Sequence, residues 1–401
     1  MTSRCSLGKA SVVHMSFSGD FGGREKVAAW LCRAISSEGV SCRLFMVLEE
    51  RAGKDRNANL IHALGDSLDF CTMFKTDSRF SISLAIELAK ALSTVRATVL
   101  HCHCYKSLFY ALLLKLFGRF SGVVVYTLHG IELPAGIGPS FIRGFQSLGL
   151  RYSDGVIGCS REVLARSLSK GWRGRKKAII NAISLPPGGY EAVSMRKSEL
   201  RDAACKRFGL DPLRPLVLNI GRLCPQKNFP LFLRLIQCFT GQGPEIPATN
   251  FLIVGDGELR DELESEAQRL GVRDKVCFVG FVTDMDALYV GADLVVQTST
   301  WEGTPMCLLE ARSYGLPVVA PAVGGNVDVV RDGIDGALYS SGDLDQLSRK
   351  TAAYLCDPEL RQAHGRLAFE HTGREFDPAH WARLHLQFYD EMTPLSGQEA
   401  G

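Results

Sequence analysis

The chain has no long hydrophobic run. Its most apolar stretch, residues 108–117, is interrupted by Lys115 and is about half of the roughly 20 residues that a membrane span needs. The N-terminus lacks the continuous apolar core of an export signal. The 13 cysteines are odd in number and have no paired spacing, which argues against a disulfide framework and fits a reducing cytosol. We therefore expect a cytoplasmic protein that is soluble, or bound at the inner face of the cytoplasmic membrane without crossing it.

The composition also excludes a disordered chain, a collagen and a small stapled module. The 401 residues are 46% hydrophobic and 22% charged, which is enough for two ordinary packed domains. The net charge of +3 hides an uneven distribution, because residues 1–190 contain 25 Lys and Arg against 13 Asp and Glu, and residues 191–401 contain 21 against 30. The halves therefore carry +12 and −9. A basic half of this kind predicts an anionic partner, with nucleic acid, lipid head groups and phosphorylated substrates as candidates.

Short β-rich apolar runs alternate with helical patterns, which is typical of parallel sheets with crossover helices. We predict an α/β fold with two doubly wound Rossmann-like domains, residues 1–190 and 191–377, joined by a Pro-Pro-Gly-Gly linker within 184–194. Residues 378–401 are predicted as a C-terminal helix and tail, with the helix crossing back to the first domain. Ligands of such sheets bind at the carboxyl ends of the strands. The predicted strands are 11–17, 42–48, 98–102, 122–128, 155–158, 216–220, 250–254, 276–278, 294–297 and 317–320.

The richest segment for a site is 301–330, where a predicted strand is followed by a loop, a helix and another strand. Thr304 stands where an N-cap belongs and Pro305 where the first helical residue belongs. Exposed amides and the helix dipole at such a position favour an anion, for example a diphosphate. The amides predicted to point at the anion are those of Met306, Cys307 and Leu308.

Two carboxylates flank this helix start, Glu302 before the helix and Glu310 within it. Both are placed to accept hydrogen bonds from hydroxyl groups of a ligand. Helix capping plus a solvated glutamate would explain either residue alone. This explanation is weaker for the pair combined with Gly324 and Gly325, which follow the next strand.

Two cations, Arg222 and Lys227, directly follow the predicted strand 216–220. A leaving diphosphate gains negative charge as its bond to a sugar breaks, and fixed cations stabilise that transition state more than the ground state. For Arg222 alone a surface salt bridge is an equally good interpretation, whereas the pair favours phosphate binding. No Asp-x-Asp pair stands in a predicted metal-binding loop, so we expect no metal and no other cofactor.

These motifs resemble the retaining glycosyltransferases of the GT-B fold, specifically family 4. The resemblance rests on the two glutamates with seven residues between them, Glu302 and Glu310, and on the sequence GLPVVAPAVGGNVDVV that follows, which includes Asp328. The runs NIGRLCPQKN, VGDGELRDELE and VCFVGFVTD also match in order and spacing, so the resemblance covers about residues 215–345. It implies that the donor is a nucleotide-sugar, with UDP- or GDP-sugars expected, and that its diphosphate is held by Arg and Lys without a divalent ion. The implied donor-binding residues are Gly22, Gly23, Arg222, Lys227, Glu302, Gly303, Thr304, Pro305, Met306, Cys307, Leu308 and Glu310.

The first half matches this family more loosely. A strand end, a turn at Gly22 and Gly23 and a helix resemble the family's first loop, with Glu25 in the acidic place. His129, after the strand 122–128, matches a strand-end histidine that faces the donor sugar in the family. A bare glycine turn and a structural histidine are the alternatives. The resemblance assigns catalysis to Glu302, His129, Arg222 and Lys227.

The sequence HCHC at 101–104 suggests zinc, but side chains alternate along a strand, so His101 and His103 face one way and the cysteines the other. Four ligands cannot then close on one ion. We predict His103 and Glu25 on the acceptor side of the site. Asn181 stands where the family reads Asn-Gly-(Val/Ile)-Asp, and the Ala182 and Ser184 that follow depart from it. Thr304-Pro305-Met306 replaces the common Phe-Gly-Leu, which leaves the donor sugar open.

A basic region between residues 140 and 180, with the amphipathic segment 107–120, is a candidate surface for anionic lipid, the alternative being a buried helix and a solvated face. Nucleic acid is not expected, because no nucleic-acid motif accompanies the charge. The basic residues are Arg143, Arg151, Arg161, Arg166, Lys170, Arg173, Arg175, Lys176 and Lys177.

The sequence thus predicts a retaining, metal-independent glycosyltransferase that acts on a glycan or lipid-linked acceptor in bacterial surface-polysaccharide synthesis. In this interpretation Glu302 positions the sugar, Glu310 binds the nucleotide ribose, and Arg222 and Lys227 stabilise the leaving diphosphate. The alternatives are a sugar-nucleotide epimerase on a similar frame and a sugar-nucleotide-binding protein without catalysis. A Rossmann dehydrogenase is weaker, because neither half has Gly-x-Gly-x-x-Gly after its first strand with an acidic residue about 20 positions later.

Overall fold

A computed structural model of the chain describes residues 11–18, 23–49, 65–78, 80–130, 149–168, 174–240 and 246–393. Gly22 and three residues of the basic region, Arg143, Lys170 and Arg173, lie outside these ranges. Among the described residues, no helix has the length and apolar character of a membrane span. The chain divides into two compact units, one formed by residues 1–181 and 378–401 and the other by residues 182–377.

The first unit is built on a seven-stranded, fully parallel sheet in the order β3-β2-β1-β4-β5-β6-β7. The central strands are buried apolar runs, as expected of a sheet covered on both faces. The strands are β1 (Ser11–Ser18), β2 (Ser41–Glu49), β3 (Cys71–Thr76), β4 (Val99–Cys102), β5 (Val123–Leu128), β6 (Gly155–Gly158) and β7 (Arg175–Ala178). The helices are α1 (Gly23–Ser37), α2 (Ile82–Thr94), α3 (Tyr105–Leu116) and α4 (Arg161–Ser167), with a 3₁₀ turn at Gly65–Phe70.

The second unit has a six-stranded parallel sheet in the order β10-β9-β8-β11-β12-β13. Its strands are β8 (Leu216–Ile220), β9 (Asn250–Val254), β10 (Val276–Gly280), β11 (Leu294–Val296), β12 (Val318–Pro321) and β13 (Ala337–Tyr339). Its helices are α5 (Gly189–Met195), α6 (Lys197–Phe208), α7 (Phe229–Thr240), α8 (Arg260–Arg269), α9 (Asp286–Gly291), α10 (Met306–Ser313), α11 (Asn326–Val329), α12 (Leu344–Cys356) and α13 (Pro358–Glu375), with a 3₁₀ turn at Pro225–Lys227.

Each sheet has a switch point where the strand order reverses. In the first sheet the chain moves outward from β1 through β2 and β3 and then returns to β4 beside β1, and in the second sheet β8 and β11 have the same relation. Loops leave such a pair of strands in opposite directions, which opens a crevice at their carboxyl ends. The predicted fold class, two doubly wound parallel-sheet domains, is confirmed.

The last helix, α14 (Pro378–Asp390), belongs to the first unit, as predicted. Tyr389 bonds through its hydroxyl to Nδ1 of His101 on β4 at 2.6 Å, and Arg383 pairs with Glu38 at 3.1 Å. A Cβ at Gly155 would lie 2.4 Å from the sulfur of Met392, so the chain after α14 packs directly on β6. Burial of one face of α14 therefore explains why the C-terminus returns to this sheet.

The boundary between the units falls after Asn181, whereas the sequence places it after residue 190. The amide of Ile183 donates to the carbonyl of Phe376 at 3.0 Å, and Leu185 packs against Gly373, so both belong to the second unit. The expected linker 184–194 is partly helical, because α5 begins at Gly189.

Three strands, β3, β7 and β13, were missed by the sequence interpretation. In the described part of the chain all three are sheet edges, with a neighbouring strand on one side. β7 has the sequence RKKA and is half exposed. An edge strand needs no continuous apolar run, so its pattern resembles a polar loop.

Candidate active site

The loops after β8 and β11 bring Lys227 and Glu302 together at the switch point of the second sheet. The Nζ of Lys227 lies 2.6 Å from Oε1 of Glu302, and the two side chains are 17% and 6% exposed. Burial alone would lower the pKa of Lys227, but the charge and hydrogen bond of Glu302 outweigh it and raise that pKa. Lys227 is therefore a fixed cation at neutral pH, already paired with a carboxylate before any ligand arrives.

Backbone contacts hold these two loops against each other. The Thr298 hydroxyl donates to the Lys227 carbonyl at 2.9 Å, and the Thr300 amide donates to the Gln226 carbonyl at 2.8 Å. Gln226 in turn donates from Nε2 to the carbonyl of Trp301 at 2.9 Å. The residues before Lys227 and before Glu302 are thus locked together, so the ion pair is held from both sides.

Arg222 lies directly after β8 and is exposed. A Cβ on Gly221 would be 3.2 Å from the Lys227 side chain, so the aliphatic part of Lys227 crosses the backbone just before Arg222. The structure therefore places both predicted cations on one loop at the carboxyl end of the central strand. Lys227 is tied to Glu302, a carboxylate of the predicted motif.

Helix α10 begins one residue later than predicted. Pro305 is its N-cap, with φ −77° and ψ 89°, and no side chain caps the helix, so Thr304 is not the cap. The Leu308 amide donates to the Pro305 carbonyl at 3.0 Å, and its prediction as an anion-binding amide is wrong. The proline side chain has no oxygen that could accept a hydrogen bond from the first-turn amides, and the Pro305 carbonyl begins the helical hydrogen bonds. Only Met306 and Cys307 have amides ahead of that first helical bond.

The Cys307 side chain stands near the ion pair and is uncharged. Its sulfur lies 3.5 Å from Nε2 of Gln297. Burial raises the pKa of the Cys307 thiol to about 11, despite the opposing effect of Lys227. It therefore contributes shape and a weak hydrogen bond rather than a reactive thiolate.

Gly324 and Gly325 are required by the close approach of two loops. A Cβ at Gly324 would lie 1.9 Å from the Glu302 carbonyl oxygen, and one at Gly325 would lie 2.0 Å from that of Gly303. The Gly325 amide also donates to the Gly303 carbonyl at 2.9 Å. These glycines thus fix the backbone that carries Glu302, which is a structural reason for their place in the motif.

Glu310 is half-buried on α10 and is held by a residue that the sequence interpretation missed. The Tyr289 hydroxyl on α9 donates to Oε2 of Glu310 at 2.7 Å, and the Tyr289 ring stacks on Tyr314 at 5.3 Å between centroids. Burial and the neighbouring charge of Glu310 raise the pKa of Tyr289 well above its ordinary value, so the hydroxyl stays a donor. No spacing in the sequence indicates this pair, because α9 and α10 meet only in the folded unit.

A buried ion pair fixes the far end of α10. Arg312 donates from Nη1 and Nη2 to the two carboxylate oxygens of Asp335 at 2.7 and 2.9 Å, and both side chains are fully buried. Nδ1 of His371 lies 2.7 Å from the same carboxylate. Burial alone would raise the pKa of Asp335, but Arg312 and His371 hold it below its usual value. This network was not anticipated from the sequence.

In the first unit, two predicted contact residues are buried. Glu25 is 1% exposed and pairs with Arg24 at 2.9 Å. His103 is 1% exposed, and its ring nitrogens lie 2.9 Å from His14 and 2.9 Å from His129. Neither side chain is exposed for direct contact with an acceptor, and their place on the acceptor side of the site stays a prediction. Gly23 opens α1, and half-buried His129 follows β5 as expected.

The sequence HCHC behaves as predicted from strand alternation. The rings of His101 and His103 stack at 4.4 Å on one face, while Cys102 and Cys104 belong to the apolar core. His14, His101 and His103 offer nitrogens within 4.8 Å of one another, a grouping that would suit an ion by distance alone. Both nitrogens of His101 are, however, hydrogen-bonded at 2.6 Å, to Tyr389 and Thr127. In the structure, His14, His101 and His103 form a hydrogen-bonded cluster.

Comparison with known proteins identifies the class to which this fold and site belong. The model of the family "Glycosyltransferase Family 4" matches residues 21–183, and that of "Glycosyl transferases group 1" matches residues 201–371. The chain belongs to the group 1, family 4 glycosyltransferases. The prediction of a glycosyltransferase acting in glycan synthesis is confirmed, and neither the epimerase nor the inactive binding protein is favoured.

Three similar proteins illustrate the relationship. An Escherichia coli UDP-Gal:alpha-D-GlcNAc-diphosphoundecaprenol alpha-1,3-galactosyltransferase is 28% identical over 65% of this chain and 67% of its own. A Streptomyces kanamyceticus alpha-D-kanosaminyltransferase is 31% identical over 42% of each chain. The crystal structure of Anabaena HepE in complex with UDP and glucose superposes with a TM-score of 0.76 at 20% identity, over 95% of this chain and 100% of HepE.

Proposed function

We propose that the protein transfers a sugar from a UDP- or GDP-sugar to a glycan or lipid-linked acceptor, with retention of configuration and without a metal ion. The setting would be the synthesis of a bacterial surface polysaccharide at the cytoplasmic face of the membrane. The observation that carries the proposal is the Lys227–Glu302 pair at the β8/β11 switch point. In support, the E. coli relative is named for a UDP-sugar donor and a diphosphoundecaprenol-linked acceptor.

Lys227 supplies the fixed positive charge that a leaving diphosphate requires. As the bond between the sugar C1 and the phosphate oxygen breaks, negative charge grows on that oxygen, and Lys227 and Arg222 stabilise it. The start of α10, at Met306 and Cys307, adds backbone donors on the same side. Two cations and a helix end can thus perform the charge stabilisation that a metal performs elsewhere.

Glu302 and Glu310 take separate roles in this proposal. Glu302 orients the sugar through its hydroxyl groups, and the ion pair with Lys227 links that contact to the diphosphate. Glu310, which Tyr289 holds through Oε2, accepts hydrogen bonds from the ribose. Neither is placed as a nucleophile. The acceptor oxygen therefore bonds to C1 on the face from which the phosphate departs, and its proton passes to the departing phosphate oxygen.

The first experiment offers purified protein a panel of UDP-, GDP- and ADP-sugars and measures binding and slow donor hydrolysis, with and without a chelator. Binding of one donor class, unchanged by the chelator, is expected. Binding of no donor, or binding lost on chelation, would contradict the proposal. Retention is tested on the transferred product, whose anomeric configuration by NMR should equal that of the donor.

The second experiment changes Lys227→Ala, with Lys206→Ala, an exposed lysine on α6, as the matched control. Losing one fixed charge at the leaving group should lower turnover about 100-fold and weaken binding of the free nucleoside diphosphate. The control should keep both. Unaltered turnover in the Lys227 variant would refute its phosphate role.

Membrane association forms a separate part of the proposal. Leu116 and Phe117, at the end of α3, are 80% and 68% exposed, and Arg175 and Lys176 are exposed on β7. Exposed apolar side chains and exposed cations are the groups that a surface of anionic lipid attracts. Co-sedimentation with phosphatidylglycerol vesicles should weaken with salt and on changing Phe117→Ser. A salt-insensitive interaction would argue against docking.

A further inference from the structure

Three histidines form a hydrogen-bonded chain across the centre of the first sheet. His14 lies on β1, His103 follows β4 and His129 follows β5, and these three strands are neighbours. Nδ1 of His14 is 2.9 Å from Nε2 of His103, and Nδ1 of His103 is 2.9 Å from Nε2 of His129. The two inner rings are 0% and 1% exposed, whereas His129 is half-buried. The chain thus runs from the core to the residue predicted to face the sugar.

The middle ring forces both hydrogen bonds to point the same way. Burial, reinforced by the neighbouring histidines, lowers the pKa of His103 well below its ordinary value, so the ring is neutral. A neutral imidazole has one N–H donor and one acceptor nitrogen. His103 must therefore accept one of its two bonds and donate the other.

The inner end of the chain selects the direction. Nε2 of His14 is buried and has no hydrogen-bond partner. If His129 donated to His103 and His103 to His14, Nε2 of His14 would carry a buried N–H without an acceptor. If the donors point outward, from His14 to His103 and from His103 to His129, Nε2 of His14 is only an acceptor without a donor. Buried N–H groups without a partner are the rarer and costlier case. The outward direction is therefore favoured, with His14 donating to His103 and His103 donating to Nε2 of His129.

We propose that His14 and His103 are positioning residues that hold His129 as the neutral Nδ1–H tautomer, so that His129 presents a hydrogen-bond donor to an oxygen of the bound sugar. This rests on the proposed function, because the sugar is the ligand of that function. Among the described residues, none bonds Nδ1 of His129, which leaves that donor for a ligand. Neighbouring groups do not compete, because His101 is engaged by Tyr389 and Thr127.

Charged and titratable neighbours also keep His129 neutral. Burial, Arg24 on α1 and His385 on α14 together lower the pKa of His129 to about 3. Arg24 itself bonds Glu25 through Nε and Nη2, so the guanidinium is held in place. A neutral, oriented donor is a different group from the imidazolium that an exposed histidine would offer at mildly acidic pH.

The first test reads the tautomer directly by two-bond proton–nitrogen NMR of the full-length protein labelled with ¹⁵N-histidine. Nδ1 of His129 should be protonated and Nε2 bare, with the same state in Leu92→Ala, a core variant of the same unit that leaves the chain of rings intact. A protonated Nε2 on His129 in the wild type would overturn the proposal. So would one equivalent of tightly bound metal, measured by elemental analysis.

The second test compares His103→Asn with His103→Leu. The Asn amide lies near the position of Nδ1 and can still donate to His129, whereas Leu cannot. We expect Asn to keep the Nδ1–H signal and most of kcat, and Leu to lose the signal and about tenfold in kcat, with UDP affinity unchanged in both. Equal kcat in the two variants would overturn the proposal. If no donor is turned over at all, the proposed function fails while the NMR result still decides the tautomer.

Discussion

Acidification should destabilise the first unit far more than the second. Five histidines there are neutral: buried His14, His101, His103 and His385, and half-buried His129, whose pKa is lowered to about 3. Burial is the main cause, lowering the pKa of His14 to about 3 and of His385 to about 4, with His101 and His103 well below their ordinary values. In the unfolded chain each regains a pKa of about 6.5.

The sign follows from proton uptake. Between about pH 4 and 6.5 the unfolded chain binds protons that the folded unit does not, so stability rises with pH there and is nearly flat above pH 7. At pH 5.5 each neutral histidine costs about 1.4 kcal/mol relative to pH 7.5, because one pH unit equals about 1.36 kcal/mol per proton. The five together cost about 7 kcal/mol, against a typical stability of about 5 to 15 kcal/mol.

Hydrogen exchange followed by mass spectrometry resolves this effect by unit. After correction for intrinsic rates, peptides covering β1 and β4 should lose about 10⁵-fold protection between pH 7.5 and 5.5, and peptides covering β8 and β9 much less. His385→Asn keeps a donor for the Trp381 carbonyl, 2.9 Å from Nδ1 of His385, and should reduce the pH slope by about a fifth. His380→Asn, an exposed position on the same helix, is the matched control and should leave the slope unchanged. A loss below tenfold in β1 and β4 would refute the assignment of neutral histidines.

Two further predictions concern the second unit. Tyr289→Phe removes one hydrogen bond to Glu310 and should raise the donor KM about threefold to tenfold. The control Tyr354→Phe loses a hydrogen bond to His364 elsewhere in the unit and should leave the donor KM unchanged. Equal KM values in the two variants would show that Tyr289 does not position Glu310. Arg312→Met leaves a buried carboxylate without its cation and should lower the free energy of unfolding by about 3 to 5 kcal/mol in urea, an effect whose absence would show that the network is dispensable.

The charge distribution of the sequence pointed to the wrong half for the best-supported anion. Residues 1–190 carry +12, yet the cations that suit a diphosphate lie in the second half, which carries −9. Net charge is a sum over the whole surface of a domain. Lys227 is largely buried in its loop, so its local charge matters more to a ligand there than the acidic residues elsewhere on the surface. The motif, rather than the total, located the site.

The features of this protein that could be predicted are those that depend on residues close together in the sequence. Apolar runs with helical segments between them predict the inner strands, and Gly, Pro and charged residues directly after strands mark Lys227, Glu302 and the start of α10. The predicted start of α10 at Pro305 is one residue early, and Leu308 was wrongly assigned as an anion-binding amide. Both errors arise because the start of a helix depends on which carbonyl accepts the first helical hydrogen bond. Edge strands such as β7 escaped because they need no apolar pattern.

Fold class and family can be predicted from the sequence alone, because periodicity and motif spacing are properties of neighbouring residues. Only the tertiary structure decided that Glu302 is paired with Lys227, that Tyr289 holds Glu310, and that His103 lies behind His129. Each of these pairs joins residues that are far apart in the sequence, on different helices or on the loops after different strands. The distance between the two residues of each pair, and the burial of each pair, follow from the order of the strands and the packing of the loops. Distance and burial in turn determine the protonation state of a side chain and the contacts that it can make.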